Sequence, residues 1–224
     1  SHAIRIHSYG GPDVMQWEPH DPGEPGRGEA LIRQTAVGLN FIDVYERTGL
    51  YPNALPSGLG REGAGVVEAL GPGVRGLVVG ERVAYVSSQA GSYAQRRCMA
   101  ADRLVTIPDG VSDRLAAAAM LKGLTAQFLL RRTHRVRKGD VVVIHAAAGG
   151  VGLIAAQWAR HLGATVIGVV GSAAKAEFAR AHGCHHTVML GRDDLPAMVR
   201  ALAGADDAAL DRRLLGSGAD CQRP

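Results

Sequence analysis

Residues 141–152 read VVVIHAAAGGVG, an apolar run that passes without a break into residues with almost no side chain. A stretch of this kind folds as a buried strand, a tight turn and a helix packed back against the strand, and few other arrangements accommodate it. Ala146, Gly149 and Gly152 hold the three places of a glycine fingerprint, with alanine at the first. Small residues there let the chain turn sharply, let its backbone approach a pyrophosphate, and let the new helix lie close to the strand. That helix, expected over Gly150 to His161, points its unsatisfied N–H groups and positive dipole end at an anion, with Gly150 and Val151 nearest to it. Turns of this composition also join strands to helices where no ligand binds, so the next strand has to decide.

Ala164–Val170, ATVIGVV, reads as that strand. A site selecting NAD carries an Asp or Glu at its end, about 20 residues past the turn, to hold the ribose 2′-hydroxyl. The chain has none there and offers Gly171, Ser172 and Lys175 instead. A hydroxyl and a cation suit a 2′-phosphate, so the expected cofactor is NADPH. Lys175 also reads as an ordinary solvated lysine in the first turn of a helix.

Composition excludes other classes. The chain has 224 residues, 46% of them hydrophobic, enough for a substantial core in one large or two smaller domains. No segment approaches the roughly 20 apolar residues of a membrane span, and the N-terminus has no secretory pattern, so a cytoplasmic protein is expected. Cys98, Cys184 and Cys221 have no close spacing and form neither a disulfide framework nor a zinc knuckle. The formal net charge of +4 is dispersed apart from Arg131, Arg132, Arg135, Arg137 and Lys138, a cluster expected to answer a helix dipole at its C-terminus. With three phenylalanines, two tryptophans and five tyrosines, none interleaved with these arginines, a nucleic-acid partner is not expected.

Along the chain, the first half reads as β: short runs at Ala3–His7, Met15–Glu18, Glu29–Val37, Gly65–Leu70, Arg82–Val86 and Leu104–Ile107 alternate with Gly/Pro clusters. This spacing suggests a small barrel-like domain with one helical insert at Phe41–Arg47. From about Val111 helices and strands alternate: helices at Ala116–Met120 and Gly123–Arg132, the strand–turn–helix unit, a strand at Thr187–Leu190 and a helix at Asp194–Ala203. Alternation of this kind means a parallel sheet covered by helices. The expected division is 1–112, 113–203 and an atypical tail 204–224.

Five motifs then resemble one family in order and spacing: Asn40-Phe41-Ile42-Asp43-Val44-Tyr45, Gly49-Leu50-Tyr51-Pro52, Leu59-Gly60-Arg61-Glu62-Gly63-Ala64-Gly65, Lys122-Gly123-Leu124-Thr125 and His145–Gly152. They are similar to the zinc-independent quinone oxidoreductases of the medium-chain dehydrogenase/reductase superfamily, relatives of zeta-crystallin. The resemblance covers about residues 3 to 203. It implies an α/β fold with a GroES-like β-rich catalytic domain and a Rossmann-type doubly wound parallel sheet, the latter only half present. It also implies NADPH, one- or two-electron reduction of a small quinone, and a homodimer for the intact family member. Zinc-dependent members of the superfamily carry a cysteine in the Asn40 region and a histidine where Arg61 stands; neither ligand is present, and a structural zinc loop would need four closely spaced cysteines. No metal is expected. The clustered His182, His185 and His186 read as an exposed polar turn.

Without a metal, reduction runs on hydride transfer to an electrophilic quinone, with the protein supplying position. Asn40, Asp43, Tyr45 and Tyr51 are the candidate substrate-cleft residues, an amide and two phenols that hydrogen-bond a carbonyl while the rings stack on a planar substrate. Asn40 equally reads as a helix cap, and Tyr45 as a core ring. The resemblance adds Lys122 and Thr125 beside the nicotinamide. Where relatives place a tyrosine near the adenosine phosphate this chain has Leu190, with Arg192 as the substitute. Past Ala203 the segment ADDAALDRRLLGSGADCQRP lacks the apolar strand of a second mononucleotide half, so a truncated or frame-shifted end is expected, with Val141–Ile144 left as a sheet edge. Two alternatives stand beside quinone reduction: an enone or alkenal reductase of the same superfamily, and a non-catalytic NADPH-binding protein.

Overall fold

The computed structural model describes residues 1–203, so the expectations for the tail 204–224 and Cys221 lie outside the described residues. The chain forms two compact units that divide between Leu121 and Lys122.

The first unit contains β1 (His2–Ile6), β2 (Met15–Pro19), β3 (Glu29–Val37), α1 (Phe41–Thr48), β4 (Ser57–Gly58), β5 (Glu62–Leu70), β6 (Arg82–Val86), β7 (Arg96–Ala100) and β8 (Leu104–Thr106). The strands form two antiparallel sheets, β2-β1-β4 and β7-β3-β5-β6-β8. β1 also bonds to the chain just before β7, where the Ile4 N–H donates to the Tyr93 carbonyl at 2.7 Å and the Gln95 N–H to the His2 carbonyl at 2.9 Å. Alternation sends Ala30 and Ile32 of β3 inward to pack with Val67, Val83, Tyr85 and Met99. A second core of Ala64, Ala84, Ile107, Ala116 and Ala117 covers the other face. β7 was not expected, because RRCMA has neither β-branched residues nor clear alternation; β3 recruits it as an edge through the pairs Glu29–Ala100 to Arg33–Arg96.

α2 (Asp113–Gln127) spans the division and continues into a π-helical turn, Phe128–Thr133. Two helices were expected there, broken near Gly123. Gly123 keeps ordinary helical backbone with open space around it, and the flanking alanine and leucine residues carry the helix through. Arg131 and Arg132 fall in the last turn of this helical segment, where the dipole favours them.

The second unit continues with β9 (Val141–His145), α3 (Gly150–His161), β10 (Thr165–Val170), α4 (Ala173–Ala181), β11 (His186–Met189) and α5 (Leu195–Ala203). The sheet is parallel in the order β11-β10-β9, and among the described residues β9 pairs with β10 alone. β9 and β10 are apolar on both faces, as strands of a sheet covered on both sides require. Val142, Val166 and Val170 pack with the Ala155, Ala156 and Ala159 stripe of α3 and with Ala176 and Ala179 of α4. Val143, Ile167, Val169 and Val188 pack with Val199 of α5. No helix among the described residues is long and apolar enough to cross a membrane.

Candidate functional site

In the second unit, β9 ends at His145 and the chain turns through Ala146, whose φ of 50° lies in the left-handed region. That conformation costs a residue with a β-carbon about 1–2 kcal/mol, and the smallest such residue occupies it. The Ala146 carbonyl accepts from the Gly149 N–H at 2.7 Å, closing the turn, and Gly149 caps α3. A β-carbon on Gly149 would stand 3.0 Å from the Ala146 oxygen, and one on Gly152 would stand 2.5 Å from that oxygen and 2.8 Å from the Ala147 Cα. Ala146 thus makes the left-handed turn, while Gly149 and Gly152 let the turn and the first turn of α3 pack closely on it. The Lys122 side chain lies over Gly150, where a β-carbon would meet its Cδ at 2.9 Å. Thr125, His145, Ala146 and Gly149–Gly152 all border one cavity of about 360 Å³ that runs beside β9. Lys122, Thr125, Ala146, Gly149, Gly150, Val151 and Gly152 are therefore brought to one place.

Gly171, Ser172 and Lys175 follow β10 and open α4. The Ser172 hydroxyl accepts from the Lys175 N–H at 3.3 Å, so Ser172 is the helix cap and Lys175 stands exposed in the first turn. Space around Gly171 is open. β10 and β11 end in register at Val170 and Met189, and the Leu190 N–H donates to the Val170 carbonyl at 2.9 Å. The segment carrying Arg192 therefore leaves the sheet at the same carboxyl edge as Ser172. His185 is more than a polar turn: its Nδ1 accepts from the Val166 N–H at 3.0 Å, and partial desolvation with the charges of Arg160 and His186 lowers its pKa.

In the first unit, α1 starts at Asn40, which is 9% exposed. The Asp43 carboxylate reaches back to accept from the Asn40 backbone N–H at 2.9 Å, the carboxylate half of a capping box. The Asn40 side-chain amide donates to Glu62 Oε1 at 2.8 Å, and Glu62 Oε2 accepts from the Leu121 N–H at 2.6 Å. Gly38 makes this possible, because any β-carbon there would collide with the Glu62 carboxylate. Asp43 points inward as well, accepting from the Tyr93 hydroxyl at 2.6 Å, and burial raises its pKa against the pull of that bond. Burial and the neighbouring Asp43 also push the Tyr93 phenol well above its ordinary range. Beneath them Arg61 Nε donates to the fully buried Glu46 at 2.7 Å. Glu46, Arg61, Glu62 and Tyr93 were missed as a group; the only signal was the charged pair Arg61-Glu62 inside an otherwise small and apolar motif.

The candidate rings lie on the outer side of α1. Tyr45 packs edge-on against both Phe41 and Tyr51, with centroids 5.0 Å and 5.2 Å apart. Tyr51 is 51% exposed and is tied to α1 by its N–H, which donates to the Tyr45 carbonyl at 3.1 Å. With Leu39, Phe41 and Leu50 also exposed, α1 presents an aromatic and apolar platform on one side and a buried acid network on the other. Of the four candidates, Tyr45 and Tyr51 belong to the platform, whereas Asn40 and Asp43 belong to the interior behind it. Among the described residues no three His, Cys, Asp or Glu side chains gather as a metal-holding group.

Two family models match the chain, the alcohol dehydrogenase GroES-like domain over residues 26–109 and the zinc-binding dehydrogenase domain over residues 150–213. The chain is 49% identical over 200 residues to a quinone oxidoreductase of Pseudomonas aeruginosa, which covers 89% of this chain and 62% of that protein. It is 45% identical over 234 residues to a 2-haloacrylate reductase of a Burkholderia species, covering 99% of this chain and 70% of that protein. The solved structure of Escherichia coli quinone oxidoreductase complexed with NADPH superposes with a TM-score of 0.88 at 42% identity, covering 91% of this chain and 63% of that one. The chain thus spans a little over three fifths of the length of these quinone oxidoreductases. Fold, motif order and sequence identity agree, and the chain belongs to the quinone oxidoreductases of the medium-chain dehydrogenase/reductase superfamily.

Proposed function

We propose that this chain is an NADPH-dependent reductase that delivers hydride to a quinone without help from a metal. The observation that carries the reading is the turn at Ala146–Gly152: a left-handed Ala146 and two glycines packed against its backbone bring the start of α3, with its N–H groups, to the edge of a cavity beside β9, where a pyrophosphate would lie. Ser172, Lys175 and Arg192 would hold the 2′-phosphate, and no acidic residue stands in the first turn of α4 to oppose it. Lys122 and Thr125 would lie towards the nicotinamide. The bound dinucleotide supplies the hydride.

The chain's own residues bind, orient and exclude water. Tyr45 and Tyr51 offer ring faces to a planar substrate and hydroxyls to its carbonyl oxygen. Glu62 and Asp43 fix the start of α1 from behind, holding Asn40 and the rings in one orientation. Hydride delivery to the quinone would leave an oxyanion that takes a proton from a phenol or from water, so one quinone, one NADPH and one proton give one hydroquinone and one NADP⁺. A metal-free course is supported by Arg61. At the position where zinc-dependent members place a histidine, this chain sets a guanidinium already engaged by the buried Glu46.

A second reading is favoured by the 45% identity to a 2-haloacrylate reductase, a name that denotes reduction of a conjugated carbon–carbon double bond. It uses the same cofactor and hydride and differs only in the acceptor. Following NADPH absorbance with 1,4-benzoquinone and, separately, with 2-chloroacrylate decides between them, in each case before and after dialysis against EDTA. Faster turnover with the quinone, unchanged by the chelator, is the expected result. Turnover lost to EDTA and restored by zinc would overturn the metal-free course, and turnover with the acrylate alone would replace the quinone.

A further inference from the structure

The first unit contains a recess of about 520 Å³ whose lining includes none of the residues of the α1 platform. Arg5, His20, Asp21, Gln89, Arg97 and Cys98 bring polar or ionisable groups to it. Arg97 is the unusual member. It sits on β7, fixed by the pair Ile32–Arg97 against β3, and is only 7% exposed. Its guanidinium carbon lies 5.2 Å from the ring centroid of the fully buried Tyr85, and its Nη1 donates to the Ser92 hydroxyl at 3.1 Å. The Arg97 charge also pulls back the Tyr85 phenol, which burial raises.

Other arginines of this unit find acids: Arg5 pairs with Glu18 at 3.6 Å, Arg33 and Arg96 with Glu68 at 3.1 Å and 2.8 Å, and Arg82 with Asp113 at 2.6 Å. Among the described residues no acid pairs with Arg97. Asp21, the one carboxylate in the lining, is exposed and accepts from the Gly23 N–H at 3.0 Å. A guanidinium taken this far out of water is unfavourable unless a negative group meets it. A neutral hydroxyl and a ring face leave most of its five N–H donors uncommitted. Its planar fork matches the paired oxygens of a carboxylate or a phosphate. Part of one wall is Gly58, which admits no side chain, since a β-carbon there would stand 2.9 Å from the Gly91 Cα.

We propose that this recess is an oxyanion-binding site, taking the carboxylate or phosphate group of a small molecule on Arg97, with His20 and Gln89 alongside. Isothermal titration of the 224-residue chain with inorganic phosphate and with acetate, against sodium chloride at equal ionic strength, tests it. Saturable binding above the chloride control is expected, weakened at least tenfold in Arg97→Gln and at least threefold in Arg97→Lys, which keeps the charge and loses the fork. Binding of phosphate alone identifies a phosphorylated ligand, binding of acetate alone a carboxylic acid, and binding of both a general oxyanion site. If Arg97→Gln loses its near-ultraviolet circular dichroism, Arg97→Lys decides alone. The proposal is overturned if neither anion binds above chloride, or if the folded variants bind as the parent does.

Discussion

Arg61 brings a positive charge to the buried acids behind α1 through its contact with Glu46. Three carboxylates, Asp43, Glu46 and Glu62, are buried around α1, and Arg61 is the cation that reaches into them. Removing one partner of a buried pair leaves the other charge without solvent or counter-charge, at a cost of about 3–5 kcal/mol, whereas replacing both by apolar residues is often nearly neutral. Arg61→Leu is therefore expected to lose about 3–5 kcal/mol in urea unfolding, and Glu46→Leu/Arg61→Leu to recover most of it. A single variant within about 1 kcal/mol of the parent would remove Arg61 from this role. None of this was legible from sequence, because whether a charged residue is buried depends on partners far along the chain. Asn40 was readable as the residue that caps α1, but the sequence gave no hint that Asp43 supplies the carboxylate that reaches back to it or that the Asn40 amide is already taken by Glu62. By contrast Ala146, Gly149 and Gly152 were readable, since their role depends on neighbours within seven positions.

At the scale of elements, the glycine-turn helix was expected at the bounds found, Gly150–His161, because turn chemistry and apolar periodicity agree there. β7 was misread because its place is set by pairing with β3 rather than by its own composition, and α2 because one glycine was given more weight than the alanine and leucine residues around it. The join between α4 and β11 has a pH dependence that sequence did not reveal. His185 accepts the Val166 N–H as a neutral ring and its pKa is lowered below the ordinary 6.5. The folded state therefore binds this proton less readily than the unfolded chain, and the contribution is fully present above about pH 6.5 and is lost as pH falls towards the folded value. Thermal midpoints measured from about pH 8 to pH 5.5 should decline on acidification. The decline should be shallower in His185→Gln, which keeps an acceptor but does not titrate. Asp43 acts in the opposite sense, since its raised pKa makes protonation favour the fold at lower pH. An unchanged slope in His185→Gln would assign the acid sensitivity elsewhere.

For the whole molecule, the two units carry complementary halves of one proposed activity: an aromatic platform on α1 in the first, and a phosphate cradle at the carboxyl edge of a parallel sheet in the second. The α/β class and the division into a β-rich and a helix–strand alternating half could be read in advance, because period and turn residues change near Val111. The arrangement of side chains behind α1 could not, since it is built by β5, α1 and the segment before β7 together. We propose that the second unit holds NADPH through the Ala146–Gly152 turn and prefers it over NADH through Lys175. The most direct measurement is a fluorescence titration of NADPH and NADH against the 224-residue chain, Lys175→Ala and Gly149→Val. A charge-assisted contact to the 2′-phosphate contributes about 1.5–3 kcal/mol, or about tenfold to a hundredfold in affinity. The parent should bind NADPH tighter by that factor, Lys175→Ala should lose the preference while keeping NADH, and Gly149→Val should bind neither. Equal affinity for the two dinucleotides in the parent, or undiminished NADPH binding by Gly149→Val, would remove the cofactor from this turn and its selection from Lys175.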